Sequence, residues 1–303
     1  MRIQTLGALS ALLLAACSAG TAPPEEAGAV EAAIAEEEAA QPETAAASAP
    51  RLEQLWVAEG FEAPEGAALA PDGTYFISNV VGEGSARDGN GYISKVGADG
   101  TVLMQRWAEG LDGPKGMTVL GDTLYVADND RVATFDALNG TPGDTIVIDG
   151  AQFLNDMTVW NGEVLVSDSG SGSIYRLTPE GPQLFGASTD WAGINGLLGE
   201  GDRLLITTMT EGYLIDLRSA DSEVILARGM KDADGVGLVP GGGYLVSSWP
   251  GQIHYVSEDG QVTTLLDTQA GGILQNDLSV FGDVVIVPNW MPGTVTAWRV
   301  VQD

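Results

Sequence analysis

An all-β fold, a six-bladed β-propeller closed by its own N-terminal strand, is predicted by three observations. A short phrase with a polar middle residue occurs six times, at Pro64-Glu65-Gly66, Pro114-Lys115-Gly116, Leu154-Asn155-Asp156, Ile194-Asn195-Gly196, Ala233-Asp234-Gly235 and Gln275-Asn276-Asp277. Its middle residues stand 50, 40, 40, 39 and 42 positions apart, the length of one propeller blade, and a Gly/Asp-rich insertion at 81–91 lengthens the first interval. Between the phrases run short segments rich in Val, Ile, Leu and Tyr, broken by Asp-Gly turns, with no helical pattern beyond the N-terminal region.

Residues 1–17 have the layout of an export signal: Met1-Arg2, an apolar run from Ile3 to Leu14, then small residues before Cys17. The run is too short to span a bilayer. Leu14-Ala15-Ala16-Cys17 resembles a bacterial lipobox, whose cysteine is lipidated and begins the mature chain, and Ser18 resembles the outer-membrane sorting position of Gram-negative lipoproteins. An ordinary cleavage site with an incidental cysteine would export the protein equally. Cys17 is the one cysteine, so no internal disulfide can form and packing must hold the fold. Residues 18–50, rich in Ala, Glu and Pro and lacking Lys and Arg, read as a solvated tether. Residues 51–303 then form the propeller, long enough to bury a substantial core.

Within the first unit, strands are expected at 66–69, 74–79, 91–96 and 101–107, separated by Pro71-Asp72-Gly73, the insertion, and Ala98-Asp99-Gly100. The fifth unit repeats this with strands at 235–239, 242–248, 252–256 and 261–266. The sixth holds three strands, at 278–281, 284–288 and 294–301, and so lacks its outer one. The spare strand at 52–58 can supply it, which joins the two ends and leaves no large open sheet edge.

The formal charge of −29, from 42 acidic and 13 basic residues, argues against nucleic-acid binding, which needs a basic face. The same charge disfavours attraction to anionic lipids, so a membrane link would come from the lipid anchor alone. A monomer is the expected state.

In a propeller the inner strands line the central channel, so the phrases would bring Glu65, Lys115, Asn155, Asn195, Asp234 and Asn276 together at its mouth. Two carboxylates with amide carbonyls make a hard oxygen donor set, suited to Ca²⁺, with Mg²⁺, Mn²⁺ or Zn²⁺ as other divalent occupants. The competing reading is that a polar residue before Gly simply makes an inter-blade turn.

With these residues in place, the chain from residue 51 onward resembles the six-bladed calcium-dependent propellers that include gluconolactonase and senescence marker protein (regucalcin). In that group a metal is held by a Glu early in the first blade, Asn residues in the middle blades and an Asp at the start of the fifth. The resemblance implies Glu65, Asn155, Asn195 and Asp234 as metal ligands, with Asp234 as general base or nucleophile, or else as a pure ligand. It implies a metal-dependent hydrolase acting on small lactones or esters, with Asn155 also orienting substrate.

Four positions depart from that pattern or stand outside it. Sugar-lactone hydrolysing members carry an arginine two residues before the third-blade asparagine, and here Phe153 stands there. Lys115 either holds an anionic substrate group or pairs with Glu65, or it is a solvated lysine at the rim. Asn276, with Asp277, adds a ligand, lines the pocket or caps a turn. His254, the one histidine, reads as packed rather than catalytic. Trp191, Trp249 and Trp290 read as packing between blades more readily than as an aromatic substrate wall. No EF-hand loop, phosphate-binding glycine loop or serine-hydrolase elbow is present. The alternative to an enzyme is an NHL-like binding or scaffold propeller of the cell envelope.

Overall fold

The computed structural model describes residues 49–219 and 222–302; the export signal, Cys17 and nearly all of the tether lie outside the described residues. Six antiparallel sheets form the blades of a propeller. Blades one to five are four-stranded, run in sequence order and span 64–111, 114–147, 154–187, 194–227 and 233–267. Blade six is built from Val284–Met291 and Thr294–Val301, with an inner strand in two pieces, Leu274–Gln275 and Ser279–Phe281.

Its outermost strand is Arg51–Glu59, which pairs antiparallel with Thr294–Val301 from Arg51 opposite Val301 to Glu59 opposite Thr294. The expected closure by the N-terminal strand is therefore what joins the ring. Burial reinforces it: Ala67 and Ile77 of blade one pack with Ile286, Val295 and Ala297 of blade six in one cluster.

Adjacent blades are held face to face in the same way. Phe76, Ile93 and Trp107 of blade one pack against Leu124, Val126 and Phe135 of blade two. The last strand of blade one extends to Leu111, beyond the expected end at 107, because Ala108 and Leu111 continue the buried face of that cluster. Trp191, on the short 3-10 turn Thr189–Trp191, is fully buried among blade-three and blade-four residues, and its indole N–H donates to the Glu223 carboxylate at 2.7 Å. It is a core residue, as expected.

Candidate functional site

Each of the first five phrases opens an inner strand, and its polar residue is the second of that strand: Pro64–Leu69, Pro114–Leu120, Leu154–Trp160, Ile194–Glu200 and Ala233–Leu238. Pairing with the second strand shifts register across every one, as between Pro64 and Ala67 or Ala233 and Val236. The ladder breaks where the polar side chain leaves the sheet. Glu65, Lys115, Asn155, Asn195, Asp234 and Asn276 all line one cavity of about 320 Å³. The turn reading of the phrase is thereby corrected.

The glycines of the phrase serve close approach between neighbouring blades. A Cβ on Gly66 would lie 2.8 Å from the Lys115 carbonyl, and one on Gly196 would lie 2.4 Å from that of Asp234. Such contacts leave no room for a side chain, so the backbone of one phrase rests on the next.

Hydroxyls of the second strands complete this arrangement, a role the sequence reading missed. Backbone N–H groups freed by the register shift donate to them: Gly66 to Ser78 at 2.8 Å, Asp156 to Ser167 at 2.9 Å, Gly196 to Thr207 at 2.8 Å and Gly235 to Ser247 at 2.9 Å. Ser167 in turn donates to the Asn195 carbonyl at 2.8 Å, and Thr207 donates to the Asp234 carbonyl, so these two hydroxyls tie their blades to the next phrase. The available signal was a Ser or Thr 12 or 13 residues after the phrase residue in units one, three, four and five. Thr207→Val keeps the shape but leaves the buried Gly196 N–H without an acceptor; a loss of about 1–3 kcal/mol in denaturant unfolding is expected.

Two carboxylate oxygens in the cavity stand out. Oε2 of Glu65 and Oδ1 of Asp234 are buried with no hydrogen-bond partner. Both asparagines have their amide nitrogens engaged, Asn155 Nδ2 donating to Ser169 Oγ at 3.1 Å and Asn195 Nδ2 to Met209 Sδ of the cavity wall at 3.4 Å. Their carbonyl oxygens are left as uncommitted acceptors. A buried donor set of this kind is costly unless something positive completes it.

Lys115 is not a solvated rim lysine. It is buried, and its Nζ donates to the carbonyls of Gly84 at 3.0 Å and Gly113 at 2.9 Å and to Asn129 Oδ1 at 3.3 Å. Among the described residues it makes no ion pair within 4.0 Å, with Glu65 or any other acid. Asn129 Nδ2 also holds the insertion, through Ala86 O at 2.8 Å, and Arg87 pairs with Asp130 at 2.7 Å. Lys115 thus fastens the insertion beside the mouth, where Gly84 lines the cavity.

Phe153 lines the same cavity, with the Lys115 ammonium 4.1 Å from its ring centre and its own N–H fixed by Asp168 at 2.8 Å. Asn276 donates its backbone N–H to Pro288 and also lines the cavity. Trp249 and Trp290 correct the packing expectation: both are half-buried, line the cavity, and meet edge to face at 6.3 Å. His254 packs as expected, buried on the third strand of blade five with Nδ1 3.0 Å from Thr264 Oγ1.

Two further acids, Asp156 and Asp277, follow phrase asparagines and line a second cavity of about 250 Å³. Burial raises Asp234 to about 7, helped by Asp156, and raises Asp156 to about 7 against the backbone N–H groups of Leu197 and Met157. Burial also pushes Glu65 and Asp277 well up, with neighbouring acids adding to it; at Glu65 the Lys115 charge opposes. Between about pH 4 and pH 7 the ion-free folded chain keeps protons that the unfolded chain has released. Its stability therefore falls as pH rises through that window, by up to about 1.4 kcal/mol per pH unit for each such group. Asp72, held down at about 2 chiefly by Lys95, acts in the opposite sense but below this window. Thermal midpoints of the chelator-treated protein, measured from pH 5 to pH 8, should fall, and added Ca²⁺ should reduce the fall.

Among the described residues no group of three or more His, Cys, Asp or Glu is set to hold a metal, so a cation here would rest on two carboxylates and two amides. The unpartnered oxygens of Glu65 and Asp234 fit that role.

No protein-family profile matches the sequence, and no curated protein does. Solved structures do match the fold. A gluconolactonase from Xanthomonas campestris superposes with a TM-score of 0.63 at 16% identity, covering 84% of this chain and 96% of that one. Virginiamycin B lyase from Staphylococcus aureus matches with a TM-score of 0.62 at 12% identity over 83% of this chain and 100% of its own. The pyrroloquinoline-quinone-bound aldose sugar dehydrogenase of Streptomyces coelicolor gives 0.59 at 14% identity, covering 84% and 100%. At these identities the likeness shows the propeller fold alone.

Proposed function

We propose that this protein is a divalent-cation-dependent hydrolase of small lactones or esters, related to the gluconolactonase-like propellers, with Ca²⁺ as the preferred ion. The observation that carries the reading is the pair of buried, unpartnered oxygens, Glu65 Oε2 and Asp234 Oδ1, in one cavity with two asparagines whose amide nitrogens are engaged by Ser169 and Met209. Glu65, Asn155, Asn195 and Asp234 would hold the ion. When bound, a divalent cation polarises a carbonyl and lowers the pKa of water.

The chain's own residues divide the remaining work. Asp234 accepts the proton of an attacking water on the carboxylate oxygen that does not hold the ion. Asn155 and Asn195 orient water and substrate through their carbonyl oxygens, with the amides locked by Ser169 and Met209. The Ser167 and Thr207 hydroxyls fix the backbone of Asn195 and Asp234 and so hold the geometry. In the same reading the chain is exported and anchored through a lipidated Cys17.

A lyase reading has less support. One of the structurally similar lyases is a catalytically inactive variant in which a histidine is replaced by alanine. The single histidine of this chain is packed against Thr264, away from the cavity. A panel of lactones, aryl esters and phosphotriesters, assayed with Ca²⁺ and with chelator, tests the proposal. Turnover of lactones or esters that chelator removes and Ca²⁺ restores is expected. Turnover that is indifferent to chelator, or none at all in metal-loaded protein, would leave the binding-module alternative.

A further inference from the structure

Polar and apolar residues are not mixed around the cavity. The polar groups belong to the ring of phrase residues, whereas Val80, Phe153, Met209, Trp249 and Trp290 supply the wall. Trp249 comes from blade five and Trp290 from blade six, at an interplanar angle of 85°, and both line the cavity, whereas the other half-buried tryptophans, Trp56, Trp160 and Trp298, pack against clusters between blades. Phe153 immediately precedes the inner strand of blade three, with its backbone N–H fixed by Asp168 and its ring between the Lys115 ammonium and Gly84. Lys115 already donates to three acceptors, so it has no proton to spare for a substrate hydroxyl.

From this division we infer that the cavity selects lactones or esters with a hydrocarbon or aromatic part and rejects polyhydroxylated rings. The inference rests on the hydrolase reading for the identity of the polar end, and on the wall residues for the rest. A sugar lactone would bring several hydroxyls against indole, phenyl, thioether and valine surfaces. Each hydroxyl left unpaired there weakens binding roughly tenfold. An alkyl or aryl substituent gains from the same surfaces, about fourfold for each methylene buried. The two perpendicular indoles form a corner that offers an aromatic group one ring face and one ring edge.

The test separates binding from turnover. Hydrolysis-resistant δ-lactams bearing alkyl tails of increasing length, and glucono-δ-lactam, are titrated calorimetrically into the full chain in Ca²⁺. The matching lactones are assayed in parallel. Affinity should rise about fourfold per methylene until the wall is covered, and glucono-δ-lactam should bind far more weakly than the alkyl series. Trp290→Ala should cost the longest lactam roughly tenfold and leave the unsubstituted ring nearly unchanged. Length-dependent lactam binding without any lactone turnover would sink the hydrolase reading while the apolar selectivity stands. Affinity independent of tail length, glucono-δ-lactam binding as tightly as the alkyl lactams, or no binding by any of them would overturn the inference. The length series in the unaltered protein decides the matter even if Trp290→Ala folds poorly.

Discussion

Asp234→Ala is expected to abolish the stabilisation by Ca²⁺ and, with it, hydrolytic turnover, while making the ion-free protein more stable near pH 8. The two effects have opposite signs for one physical reason. Asp234 is buried, its Oδ1 has no partner, and burial raises its pKa to about 7, so at pH 8 an unpaired charge is held inside the ring. Removing it relieves that cost, as happens when an uncompensated buried charge is deleted from a binding site. The same deletion takes one of two carboxylates from the donor set. Affinity for Ca²⁺ should fall by at least roughly a hundredfold, more than loss of an outer hydrogen bond to a ligand causes. Thermal unfolding with and without Ca²⁺ reads both effects together. A purely structural carboxylate would give a destabilised variant under both conditions.

A second large effect is expected at Gly235, immediately after that residue. A Cβ there would lie 1.8 Å from Asp277 Oδ1, 2.5 Å from Leu278 N and 2.8 Å from Leu278 O. The carboxylate tip could move, but the Leu278 backbone sits between the two inner-strand pieces of blade six with its side chain buried in the core, so it has little room to give. Gly235→Ala must push blades five and six apart, with an expected loss of about 3 kcal/mol or more. For a domain of this size the thermal midpoint should drop roughly 6–12 °C. Gly271→Ala is the matched control, because a Cβ at Gly271 meets nothing within 4 Å. A midpoint for Gly235→Ala within a degree of the control would show that the phrases are not packed backbone to backbone.

Repetition made the fold legible in the sequence. Six phrases at near-constant spacing set the number of blades, and the missing strand of the sixth unit pointed to 52–58, which pairs as Arg51–Glu59. Glu65, Asn155, Asn195 and Asp234 could be placed together because strand order in a ring sends equivalent positions to the same end. Other features depended on contacts that no local pattern encodes. Lys115 occupies a ring position, yet its role follows from the 81–91 insertion folding over it and supplying the Gly84 carbonyl. Trp249 and Trp290 carry the same side chain as Trp191, and only the position of each relative to the channel separates cavity wall from core. The hydroxyls of Ser78, Ser167, Thr207 and Ser247 were hidden because Ser and Thr are ordinary strand residues, whose special role appears only once the register shift is known.

If the proposed site is right, four of the six ring residues, Glu65, Asn155, Asn195 and Asp234, hold one divalent cation at the channel mouth. Calorimetric titration of Ca²⁺ into the purified, chelator-treated chain tests it directly. One ion per chain is predicted, with binding lost in Asp234→Ala and in Glu65→Gln. Absence of saturable binding, or binding that survives both substitutions unchanged, would contradict the account.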